Sequence, residues 1–180
     1  MTTPRPTLQH ELGKANPFDS PEQEAFLNLL RTQAHLHAPF FARFKAHGLS
    51  EATYNVLRIL RGAHRHGKKQ GLRSTEIGKD MVVRVPDVTR LVDRLIDKGL
   101  AERGRCNEDR RVVHVKITMP GLAQLAKMDG PLQQMHRDQL GHLTADELHE
   151  LSRLLTKARS PNDDGDPTED RVSCDGTAHD

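Results

Sequence analysis

Tryptophan is absent from these 180 residues, tyrosine occurs once, and aromatic residues make up only 3% of the chain. Sheet-rich sandwiches and barrels draw on ring-bearing cross-strand pairs, so a chain poor in rings but 35% apolar predicts an aliphatic, mostly helical core in one domain with tails. Two cysteines, Cys106 and Cys174, are too few for a disulfide framework or a cysteine-rich zinc site. No apolar run approaches the roughly 20 residues of a membrane span, and the start lacks the apolar stretch of a secretory signal; the chain is therefore expected in the cytoplasm, away from the membrane. Also missing are a glycine-rich phosphate loop, a His-Glu-x-x-His pair, a Gly-x-Ser-x-Gly elbow and a ladder of paired cysteines. These absences argue against an enzyme, and no cofactor is implied.

What is present is charge, unevenly spread. The formal net charge is +2, yet residues 161–180 hold seven acidic residues and one arginine. Between Arg61 and Lys116 fifteen Lys and Arg face eight Asp and Glu, a surplus of seven positive charges. Localised positive charge of this kind points to an anionic partner.

Along the chain, residues 1–19 contain Pro4, Pro6, Gly13 and Pro17 without sustained periodicity, which predicts a flexible N-terminal arm. Ser20-Pro21-Glu22-Gln23 has the form of a capping box with proline in the first turn, and Phe26, Leu29, Leu30, Leu36, Phe40 and Phe44 then trace one helical face towards Gly48, with Pro39 expected to bend or interrupt it. Ser50 can cap a second helix from Glu51 to about Ala63, followed by the basic loop His64–Gly71. A short helix is expected from about Ser74 to Met81. After residue 118 a helix carrying Leu122, Leu125, Leu132 and Met135 is expected to kink at Gly130-Pro131. Thr144 and Glu147 form another capping box ahead of a final helix ending near Ala158. From residue 160 the acidic, Gly-, Pro- and Asp-rich sequence predicts a disordered tail.

The stretch from Arg84 to Thr118 organises the rest. Val88, Leu91, Val92, Leu95 and Ile96 fall on one helical stripe, Pro86 suits a first turn, and Gly99 can take the left-handed closing position. Outside that stripe lie Asp87, Thr89, Arg90, Asp93, Arg94 and Lys98. Two short segments with a charged tip follow, the second alternating Val113, Val115 and Ile117 with His114 and Lys116, which predicts a hairpin. Near the start of the helix Asp87, Thr89 and Arg90 would face base edges in a major groove, with Arg90 able to grip a guanine bidentately. Arg94 and Lys98, further along, are candidate phosphate contacts.

Val88-Thr89-Arg90-Leu91-Val92-Asp93-Arg94-Leu95, Lys98-Gly99-Leu100-Ala101-Glu102-Arg103, Asp109-Arg110-Arg111 and Ile117-Thr118-Met119-Pro120-Gly121 resemble the recognition helix, wing and exit of the MarR family of bacterial transcription regulators. The resemblance covers about a quarter of the chain. It implies a winged helix-turn-helix fold, mostly α with a small β-hairpin wing, binding double-stranded DNA. It also implies that Arg111 enters the minor groove and that Asp109 steadies it, with Arg110 beside them. Such sequences place the cap of the first reader helix one residue before Ser74, where this chain has Arg73.

The domain organisation expected is an arm (1–19), a dimerisation helix (20–48), the reader (49–118), two further dimerisation helices (119–159) and the acidic tail (160–180). The outer helices have more apolar face than the reader can cover, which predicts a homodimer with recognition helices about 34–36 Å apart and a palindromic operator. A repressor released by a small aromatic or phenolic ligand is the reading that follows from the resemblance, with His35, Leu36, Pro39, Tyr54 and Arg58 as candidate lining residues. Two other readings use the same residues. A zinc-dependent regulator would draw on His35, His37 and His47, or on His136, His142 and His149; an architectural DNA binder would sense nothing.

Overall fold

The structure, a computed structural model, describes residues 7–68, 70–105 and 113–160. The expectations for the acidic tail and for Asp109, Arg110 and Arg111 lie outside the described residues. Element order is α1 (Leu8–Glu11), α2 (Pro21–Ala46), α3 (Glu51–Arg65), α4 (Ser74–Lys79), α5 (Val88–Asp97), β1 (Ala101–Arg105), β2 (Val113–Ile117), α6 (Met119–Leu140) and α7 (Ala145–Arg159). Two compact units divide the chain, Met1–Gln139 and Leu140–Asp180.

Helix starts follow from side chains that satisfy orphan amides. Ser20 Oγ accepts from the Gln23 amide at 3.2 Å, but Gln23 Oε1 turns to the amide of Asp19 at 3.0 Å rather than to Ser20, so the expected capping box closes one residue early. Ser50 and Thr53 form a complete box, as do Thr144 and Glu147. At α4 the cap is Arg73, which has no acceptor to offer; only the reciprocal half forms, with Glu76 Oε2 taking the Arg73 amide at 2.8 Å. That bond, ahead of the neighbouring guanidinium, holds the Glu76 carboxyl below its ordinary pKa.

Two interruptions expected at prolines do not occur: α2 runs unbroken through Pro39, and α6 through Pro131. Both prolines are exposed, as are His35 and Lys127 four residues before them. Water can therefore serve the carbonyls that each proline deprives of a donor. Pro86 is the third correction. It precedes the Asp87 N-cap of α5 and is not in the first turn.

The core of the first unit is aliphatic. Val56, Leu57 and Leu60 of α3, Ile77 of α4, Val92 and Leu95 of α5, Val115 of β2, and Leu125 and Met128 of α6 are each at most 2% exposed. Phe44 and Leu132 extend this cluster. Arg61, buried with it, forks onto Asp129 of α6 at 2.6 and 2.9 Å. That pairing holds the Asp129 carboxyl below its ordinary pKa, hydrogen bonding from Arg61 first, against a smaller desolvation effect.

The hairpin pairs antiparallel with Ala101 opposite Ile117, Arg103 opposite Val115 and Arg105 opposite Val113. Leu72 adds a bridge on the other side of Val115, with amide-to-carbonyl bonds of 3.0 and 2.8 Å. Gly71 makes this approach feasible. Its φ is +90°, and a Cβ there would stand 2.2 Å from the Val115 carbonyl oxygen.

In the stretch read as an arm, α1 is one helical turn whose Leu8 is buried and whose Glu11 binds Arg31 of α2 at 2.7 Å. In the second unit, α7 buries none of its residues, and Leu151 and Leu154 are exposed.

Candidate DNA-reading site

α5 is built to present a face. Leu91, Val92 and Leu95 are buried, Gly99 closes the helix at φ +67°, and Asp87 Oδ1 caps the start by accepting the Arg90 amide at 2.9 Å. Thr89, Arg90 and Arg94 stand exposed on the outward side. No ion pair engages Arg90 or Arg94 among the described residues, so both guanidinium groups are available to an anionic ligand. Asp87 is exposed as well, with one carboxylate oxygen occupied as the cap.

Lys98, also exposed, lies next to another helix end. A Cβ on Gly48 would stand 3.4 Å from its ammonium, which places Lys98 beside the C-terminal end of α2, where the helix dipole favours a cation. The five residues expected to line an effector pocket do not all meet. Tyr54 OH accepts from Arg58 Nη1 at 3.0 Å, and the Tyr54 ring stacks on Phe44 at 4.7 Å. The Leu36 carbonyl accepts from Gln139 of α6, while His35 and Pro39 lie exposed on α2.

Two features escaped the sequence reading. Arg103 of β1 donates to Asp93 of α5 at 2.5 Å, fastening the wing to the recognition helix. The loop before α5 exposes Val82 and Val83 at 84% and 63%, and holds its shape through Asn55 Oδ1 of α3, which accepts the Val82 amide at 2.9 Å. Two adjacent β-branched residues between charged helices, too few for a strand, were the signal for an exposed apolar contact beside Arg84.

Among the described residues three of the histidines read as metal ligands form separate contacts. His37 pairs with Glu51, His47 meets Gln124, and His136 packs on the Phe40 ring at 4.7 Å. Among the described residues no group of three His, Cys, Asp or Glu could hold a metal ion. No helix among them is long and apolar enough to cross a membrane.

A short helix, a second helix laid with its polar face outward and a two-stranded wing fastened to it define a winged helix-turn-helix DNA reader. A family model described as "MarR family" matches residues 49–113. A MarR transcription factor from Planctomyces limnophilus is 45% identical, over 78% of this chain and 98% of its own, with a TM-score of 0.59. A mutant MarR from E. coli complexed with operator DNA is 26% identical, over 84% and 97%, with a TM-score of 0.60. A Bordetella bronchiseptica protein whose DNA binding is regulated by 6-hydroxynicotinic acid is 23% identical, over 76% and 98%, with a TM-score of 0.63; at that identity the likeness is one of fold. The chain belongs to the MarR family and is a winged-helix transcription regulator.

Proposed function

We propose that this regulator binds a palindromic operator as a homodimer in the cytoplasm and represses transcription until a small aromatic or phenolic ligand releases it. The observation that carries the DNA reading is the outward face of α5, where Arg90 and Arg94 are exposed without an acidic partner among the described residues, on a helix strapped to the wing by Asp93 and Arg103. Thr89, Arg90 and the free oxygen of Asp87 read base edges; Arg94 and Lys98 meet phosphates. In the wing, Arg111 grips the minor groove and its phosphate walls, steadied by Asp109, with Arg110 beside them.

Segments 20–48 and 119–159 supply the dimer layer. In its support, Phe26, Leu29, Leu30 and Phe41 of α2, and separately Leu151 and Leu154 of α7, are exposed apolar residues that water alone would leave unfavourably solvated. The release step draws on the Tyr54–Arg58 pair, a hydroxyl and a cation beside apolar α2, and on the ligand regulation of the Bordetella protein.

The test is a titration of two variants against a selected operator and a random duplex at several salt concentrations. Arg90→Ala should lose about 1–3 kcal/mol on the operator and little on random duplex, relaxing one base position per half-site. Arg111→Ala should weaken both duplexes by similar factors and flatten the salt dependence. Equal loss on every sequence for Arg90→Ala, or an unchanged Arg111→Ala, would overturn the division between a base-reading helix and a backbone-gripping wing. A panel of aromatic carboxylates and phenols, none of which weakens operator binding, would overturn the release step.

A further inference from the structure

Val82 and Val83, between α4 and α5, serve the fold in none of the ways a valine ordinarily does. At 84% Val82 is the most exposed large apolar side chain among the described residues, and Val83 is 63% exposed, so the core does not hold them. Their segment is neither helix nor strand, and no sheet draws on their β-branched shape. Turn chemistry does not ask for valine either, since exposed connections favour Gly, Pro, Asn, Asp and Ser.

The loop is nonetheless held at both ends. Met81 is buried on one side of the pair, and Val85 packs against the core on the other. Between them Asn55 Oδ1 of α3 accepts the Val82 amide at 2.9 Å. A fixed backbone therefore presents two apolar side chains outward.

Charge around the pair indicates what they meet. Lys79 and Arg84 bracket the valines, both exposed and without an ion pair among the described residues, and the one acid between them is Asp80. Three residues beyond Arg84 the Asp87 cap opens α5, with Thr89 and Arg90 on its outward side. The apolar pair is thus continuous with the reading face and carries cations suited to a phosphate backbone. Base edges in a major groove offer one apolar group, the C5 methyl of thymine. We infer that Val82 and Val83 read a thymine methyl in the operator, at a base pair other than the one held by Arg90, while Arg84 takes a neighbouring phosphate. Contact with the methyl removes apolar surface from water on both partners, and cytosine, which lacks it, gains nothing there. The inference rests on the reading of DNA by α5 proposed above and adds a non-polar element to it.

The test replaces thymine by uracil in the selected operator, one position at a time, which deletes the methyl and nothing else. Full-length parent should bind one such duplex about three- to fourfold more weakly than the operator, the effect of burying a single methyl group. Val82→Ser with Val83→Ser should weaken binding to the unmodified operator and should no longer distinguish thymine from uracil at that position, whereas Arg90→Ala keeps the distinction. Because both side chains are exposed, the urea midpoint and the dimer dissociation constant of the double variant should match the parent's. Arg84→Gln should weaken operator and random duplex by similar factors. A flat uracil scan in a parent that still prefers operator to random duplex would overturn the methyl reading and leave the α5 reading standing; a parent without that preference would overturn both. A uracil effect that persists in the double serine variant, or unchanged binding by Arg84→Gln, would also overturn the assignment. So would a raised dimer dissociation constant in the double variant, which would make the valines a contact between copies of the chain.

Discussion

α2 and α3 are consecutive helices, and they place their apolar residues in opposite ways. In 15 residues α3 buries Val56, Leu57, Leu60 and Ala63, and even Thr53 and Arg61. In 26 residues α2 buries Phe44, while Phe26, Leu29, Leu30 and Phe41 each remain at least 43% exposed. One helix is complete within its own chain; the other carries a face that only a second surface can dry. The difference separates what folds the reader from what assembles it, because burial within the chain is independent of concentration and burial between chains is not.

The sharpest way to break that comparison is to truncate one leucine from each helix. Leu57→Ala removes a side chain with no exposure, and should cost about 2–5 kcal/mol of unfolding free energy at any protein concentration, read by urea denaturation. Leu30→Ala should instead weaken dimerisation. Because a two-fold interface feels the change twice, the dimer dissociation constant should rise roughly tenfold or more by sedimentation, with little change in the urea midpoint of the dilute chain. An equal concentration-independent loss for both variants would erase the distinction.

The next effect is smaller and depends on pH. Asp129 has its pKa depressed in the folded chain, so its contribution is fully present above the ordinary carboxylate range and is lost as pH falls through the lowered folded value. Asp129→Asn should destabilise the chain at pH 7 by about 1 kcal/mol, a figure discounted because the carboxylate is 42% exposed although Arg61 is only 8% exposed. Below about pH 4, near the unperturbed aspartate pKa, parent and variant should begin to converge, and they should meet once pH passes below the lowered folded value. A gap that stays constant from pH 7 to pH 3 would show that the pair acts by shape alone.

Smallest in stability, and different in kind, is the strap between wing and recognition helix. Both Arg103 and Asp93 are nearly half exposed, so Arg103→Ala should change unfolding free energy by less than about 1 kcal/mol. Its operator affinity should fall more than its stability does, since the wing would lose its fixed angle to α5. Affinity and stability falling in proportion would mean that the contact supports folding and nothing more.

Much of this was legible in advance, for reasons that can be named. The α5 stripe, the Gly99 closure and the hairpin follow from periodicities that local sterics enforce, and Ser50 and Thr144 announce helix starts because an orphan amide needs an acceptor within three residues. The resemblance placed the reader, and the family match over residues 49–113 agrees with it. Pro39 and Pro131 misled because their cost depends on whether water reaches the carbonyl four residues back, which sequence does not state. That the Lys98 ammonium falls beside Gly48, at the end of α2, could not be read from its spacing to Arg90 and Arg94. The strap and the Val82–Val83 loop join residues that are distant in the chain or lack periodicity. Local patterning carries no record of such meetings.

The Leu72 bridge gives the wing the mechanics of a cantilever. Val115 is clamped from two sides, by Arg103 across the hairpin and by Leu72 through two short hydrogen bonds, with Gly71 flush against it. A load applied beyond Arg105 and Val113 cannot be absorbed by the hairpin sliding on the scaffold, because the beam is built in at its root. It arrives as a bending moment on the loop between α3 and α4, the segment whose far end orients the partner of the recognition helix.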